Sequence, residues 1–104
     1  MEFDRMPREL VRALSGDGFR RKRRLALPFS TTDPDGYTRV ALLTLGDVRA
    51  LSPVQLAVSV RAGSRTALNL IRRRRGTLLL LQRGMAAFIQ ARAGRGRVAT
   101  SDPE

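Results

Sequence analysis

The sequence predicts a mostly β protein with short helices, in which an antiparallel sheet curls into a small barrel and one helix crosses an end. Three observations carry this expectation. Apolar runs with a two-residue period, or with no polar break, recur between Leu25 and Ala91. Clusters of Gly, Pro, Asp and Ser separate those runs at short intervals. Helix start and stop signals frame only residues 7–15 and the stretch from Ser64 to about Arg74.

The first helix places Pro7 in its first turn, Leu10, Val11 and Leu14 on one stripe, and Gly16 at its end. A basic lead-in, Arg20 to Arg24, then enters a strand over Leu25 to Thr32, where Leu25, Leu27 and Phe29 alternate with smaller residues. Asp33-Pro34-Asp35-Gly36 is a hairpin turn, with proline presetting φ and glycine supplying a positive φ. Tyr37 to Leu45 follows. Its unbroken Val40, Ala41, Leu42 and Leu43 read as a strand covered on both faces. Gly46-Asp47 and Ser52-Pro53 bracket a loop, and Gln55 to Arg61 alternates as a third strand. After the second helix, stopped by Gly76 at C′, Thr77 to Gln82 carries four consecutive leucines, too few for a bilayer and enough for a buried strand. Arg83-Gly84 reverses the chain into a fifth strand, Met85 to Ala91. The chain thus divides into an N-terminal helix and lead-in (1–24), a barrel domain (25–92) and a flexible polar tail (93–104). Five strands leave open edges, which call for a dimer partner or a further segment.

Composition bounds the chemistry. The 104 residues suit one small domain, and 42% hydrophobic with 28% charged residues is ordinary for a folded chain. Neither a spanning apolar run nor a signal-peptide plan is present, so the expected compartment is the cytoplasm, without membrane contact. Cysteine and histidine are both absent, which removes disulfides, thiolate or imidazole metal sites, cysteine nucleophiles and histidine-based triads. The nine carboxylates fall in turns and at the termini, and no acid/base pair emerges. A net charge of +11 attracts phosphates, nucleic acid and anionic surfaces.

The positive charge concentrates around Gly63 to Leu70, GSRTALNL. Ser64 is placed to cap a helix whose first turn holds Arg65 and Thr66, where free N–H groups and the dipole favour an anion. Capping and phosphate binding are compatible roles for Ser64. A guanidinium in a first turn opposes the dipole unless an anion offsets it, although a solvated surface arginine is an equal reading of Arg65. Arg72 to Arg75 would fan around a helix axis, and cations near a helix C-terminus are favoured for structural reasons. None of the four Phe or the one Tyr recurs within the basic runs as a base-stacking platform would.

The segment LALPFSTTDPDGYTRVALLTLGDVRAL followed by LAVSVRAGSRTALNLIRRRRGTLLLL resembles the flavin-binding split barrels of the pyridoxamine 5′-phosphate oxidase-like family, from roughly Leu25 to Phe88. The most specific pieces are the strand ending TRVALLTL and the Ser-Arg-Thr helix start with an Asn-Leu pair after it. The resemblance implies a homodimeric six-stranded split barrel that holds FMN at the subunit interface. It places the strand Arg39, Val40, Ala41 to Thr44 along the flavin and its ribityl phosphate, Ser59 and Val60 against the cofactor, and Ser64, Arg65 and Thr66 at the phosphate. Thr66 and Thr44 each stand where the oxidases usually carry lysine, and Arg39, Arg61 or the arginines after Ile71 are the candidates to compensate. Family members usually continue with a further strand and a C-terminal element, so the expected barrel is incomplete at its C-terminus.

The implied activity is FMN-dependent redox chemistry on a small substrate that the residues do not identify; no catalytic residue and no metal ligand is assigned. Two other classes stand beside it: a basic nucleic-acid-binding protein, and a split barrel without cofactor.

Overall fold

A computed structural model describes residues 5–15, 26–82 and 85–93. Along them run α1 (Arg8–Ala13), β1 (Ala26–Thr32), β2 (Thr38–Thr44), β3 (Val48–Ser52), β4 (Gln55–Val58), α2 (Arg65–Arg73), β5 (Arg75–Gln82) and β6 (Met85–Arg92). The protein is mostly β, with antiparallel sheets and short helices, and no closed barrel forms among the described residues. None of its described helices is long and apolar enough to cross a membrane. The expectations for Gly16, for Arg20 to Arg24, for the Arg83-Gly84 reversal and for the tail from Gly94 onward fall outside the described residues. Two compact units emerge, Met1–Ala26 with Leu43–Val58 and Leu27–Leu42 with Ser59–Glu104.

In the first unit, the apolar stripe of α1 buries Leu10 and Ala13, with Leu14 just beyond, and the helix packs on β3, whose Val48 and Ala50 point inward. Backbone bonds fix the packing: Ala50 N–H donates to the Leu14 carbonyl at 2.7 Å and Met6 N–H to the Pro53 carbonyl at 2.7 Å. β3 corrects the expectation of a loop between Gly46-Asp47 and Ser52-Pro53. The Asp47 carboxylate accepts from Thr44 N–H at 2.9 Å and from the Thr44 hydroxyl at 3.1 Å, so the turn is short. Alternation then starts at Val48, and β3 pairs antiparallel with β4 through Val48↔Val58 and Ala50↔Leu56, with a bulge between Ala50 and Ser52. The strand expected to reach Arg61 ends at Val58.

The second unit carries a four-stranded sheet ordered β2-β1-β5-β6. Asp33 N–H bonds the Tyr37 carbonyl and Gly36 N–H bonds the Asp33 carbonyl, with Gly36 at φ +90°, a three-residue hairpin loop closed by a left-handed glycine. Alternation in β1 puts Leu27, Phe29 and Thr31 on a covered face. Phe29 lies opposite Leu78 of β5, so Leu78 and Leu80 share that face and are fully buried. Helix α2 contributes Thr66, Ala67 and Asn69 to the same interior, with Asn69 bonded to Thr31.

Only one face of this sheet is covered, which corrects the expectation of two-sided burial. Val40 and Leu42 of β2 are 58% and 71% exposed, and Leu81 of β5 is 52% exposed. An unbroken apolar run does not distinguish a doubly covered strand from one whose second face stays open.

The end of α2 is a second correction. Gly76 does not cap it. The residue in the left-handed region is Arg74, at φ 57°, and its N–H bonds the Leu70 carbonyl. Gly76 lies inside β5 and is buried, because Phe29 occupies the space where a β-carbon would stand.

Candidate functional site

The start of α2 forms as its residues dictate. Gly63 takes φ +78°, which turns the chain, and Ser64 follows with extended dihedrals suited to a cap. The Ser64 hydroxyl oxygen accepts from Ala67 N–H at 3.1 Å and keeps its own proton available to donate. The N–H groups of Arg65 and Thr66 have no intrahelical partner by position. No acidic residue lies in this first turn, and Arg65 is exposed. Thr66, by contrast, is buried.

Below this turn α2 meets the β1–β2 hairpin through Asp33. Asn69, only 2% exposed, donates through Nδ2 to Asp33 Oδ1 at 2.8 Å and to Thr31 Oγ1 at 3.1 Å. Arg39 Nε bridges both Asp33 carboxylate oxygens at 3.0 and 3.2 Å. Arg73 donates to the Asp33 carbonyl at 3.5 Å. The Asp33 carboxyl is held below the usual carboxylate range, first by the Arg39 hydrogen bond and then by Asn69, with burial opposing and the charges of Arg39 and Arg65 adding to the effect. Two arginines, Arg39 and Arg65, therefore act on the Asp33 carboxylate, and Arg73 holds its main-chain carbonyl.

Of the expected cofactor residues, Arg39, Ser64, Arg65 and Thr66 belong to this cluster or border it. Val40 lies on the open face of the sheet, and Ala41, half-buried, alternates to the other side. Ser59 and Val60 follow β4, Ser59 exposed and Val60 half-buried. Thr44 belongs to the first unit, where its hydroxyl is engaged by Asp47. A cleft of about 420 Å³ lined by Met6, Pro7, Val11 and Pro53, with Arg5 and Arg8, also lies in that unit and contains none of the expected residues.

Sequence reasoning missed Asp33, read only as a turn residue, and Asn69 and Arg73 as members of the cluster. A signal was present: Arg65, Asn69 and Arg73 are spaced by four and share one helix stripe. Their target required the hairpin to be placed against α2.

The arrangement suits holding an anion rather than moving protons. Guanidinium, hydroxyl and N–H donors meet at the α2 start, and they match a phosphate monoester in chemistry. Among the described residues no buried side-chain nitrogen or oxygen lacks a partner, and no three His, Cys, Asp or Glu gather as metal ligands. No protein-family model, curated protein or solved structure matches this chain.

Proposed function

We propose that the chain is an FMN-binding protein of the split-barrel type, a flavin-dependent oxidoreductase that acts on a small substrate as a cytoplasmic homodimer with the cofactor at the subunit interface. One observation carries the reading: an exposed Arg65 in an acid-free, serine-capped first turn, within a chain whose Leu25 to Phe88 resembles the pyridoxamine 5′-phosphate oxidase-like barrels. Arg65, the Ser64 hydroxyl and the Arg65 and Thr66 N–H groups would hold the FMN phosphate, while Asp33, bonded by Arg39, Asn69 and Arg73, ties the β1–β2 hairpin to α2. Bound FMN would supply hydride or electron transfer; the chain supplies binding and electrostatics.

Titration of the purified chain with FMN and with riboflavin, followed by flavin fluorescence with mass by light scattering, tests the reading. Arg65→Ala is expected to weaken FMN by about 10- to 150-fold, the loss of one charge-assisted bond of about 1.5–3 kcal/mol, and to leave riboflavin unchanged. A wild-type chain that ignores both flavins, or an Arg65→Ala chain that binds FMN as before, refutes it.

A further inference from the structure

The face of the second unit's sheet opposite α2 carries a different chemistry. Ala93 N–H donates to the Arg74 carbonyl, so 74 and 93 form a hydrogen-bonded pair, and the next rung, Arg75↔Arg92, is a non-hydrogen-bonded one. Such rungs bring side chains closest, and like charges directly opposite destabilise a sheet. Both arginines are exposed. Along the same face the register continues through Thr77↔Gln90 to Leu79↔Phe88. Phe88 is 72% exposed, which leaves most of its ring open to a partner. Counting back from the Asp33–Tyr37 bond puts Ser30 opposite Val40, so the exposed Val40 and Leu42 extend this face on β2.

From this juxtaposition we propose that the open face binds single-stranded nucleic acid. Arg75 and Arg92 take backbone phosphates, which relieves their mutual repulsion. Phe88, two rungs away, offers a ring on which a base stacks, and Gln90 between them presents hydrogen-bonding groups to a base edge. The basic runs in the sequence contain no aromatic residue, but strand register supplies one beside them. A polyanion with flat apolar bases answers both the arginine end and the aromatic end; a second copy of a +11 chain answers only the apolar part. The surface is separate from the Arg65 site, so the proposal stands without the flavin reading.

Fluorescence anisotropy of a labelled mixed-sequence single strand, and of its duplex, against the full-length chain over a range of salt concentrations tests it. The single strand is expected to bind more tightly than the duplex. Arg75→Gln and Arg92→Gln are each expected to reduce the slope of log K against log salt by about 0.7. Phe88→Ala is expected to weaken binding by about 5- to 150-fold with the slope unchanged. Thermal melting guards against misfolding, since either arginine variant should melt no lower than wild type once the like-charge pair is gone. The proposal is overturned by absence of binding at low salt, by equal loss in Arg49→Gln on the other unit, or by duplex binding that Phe88→Ala does not alter. It is also overturned if Phe88→Ala abolishes self-association while leaving oligonucleotide affinity intact.

Discussion

Gly76→Ala tests the packing that sets the covered face of the sheet. A β-carbon at position 76 would stand 2.8 Å from Phe29 Cε1 and 3.2 Å from Cε2, inside ordinary van der Waals contact. The ring cannot swing aside freely, because Phe29 is 2% exposed and lies opposite the fully buried Leu78. Overpacking of this kind costs about 1–3 kcal/mol. Replacing a strand glycine returns about 0.5–1 kcal/mol of backbone entropy, so the net change runs from about zero to a loss of about 2.5 kcal/mol. At about 4–8 °C per kcal/mol for a chain of this size, Tm falls by up to about 20 °C. Phe29→Leu costs stability alone by leaving a void, yet in the Gly76→Ala background it makes room for the methyl. Calorimetry or denaturant melts of the four proteins of the cycle should therefore give a favourable coupling above about 0.5 kcal/mol. Effects that add, with no coupling between positions 29 and 76, would refute the assignment of Gly76 as clearance for Phe29.

The Asp33 knot makes a prediction about pH. In the wild type, Asp33 is held below its ordinary value of 3.8, so its stabilising contribution is complete above that pH and is lost as pH falls through the folded value. Asn69→Asp places a second carboxylate where Nδ2 met Asp33 Oδ1 at 2.8 Å; two such groups cannot both ionise, so one takes up a proton at raised pH. The variant should melt lower than wild type at pH 7 and gain stability as pH falls toward 5, a slope that pH-dependent melting reads directly and that a parallel pair of profiles would exclude. Ser64→Ala removes the acceptor for Ala67 N–H and should cost about 0.5–2 kcal/mol in a denaturant melt, while Ser64→Gly costs only a few tenths. Thr44→Val strips the hydroxyl from Asp47 and should speed amide exchange in the turn before β3, with little change around α2.

Local signals in this chain were legible because they rest on chemistry within a few residues. Ser64 capped its helix as its position predicted, and Asp33-Pro34-Asp35-Gly36 turned the chain with Gly36 at positive φ. The signals that misled concern what packs on what. Four apolar residues in β2 read as two-sided burial, but exposure depends on whether a second layer exists, and Val40 and Leu42 face none. Gly76 stood where a helix stop was needed, yet Arg74 takes the left-handed conformation and the glycine instead accommodates a ring 47 residues away in sequence. Residues 48–52 alternate over only five positions, too short a run to compete with the turn residues on either side.

By itself the sequence determined the mostly β composition, the position of both helices, the serine-capped start with Arg65 beside it, and the absence of histidine and cysteine chemistry. These follow from residue type, period and spacing. Tertiary structure alone decided that Asn69 and Arg39 would converge on Asp33, that only one face of the four-stranded sheet would be covered, and that Arg75, Arg92 and Phe88 would share the other. Such juxtapositions come from strand register and from the docking of α2, which bring together residues that no local pattern links.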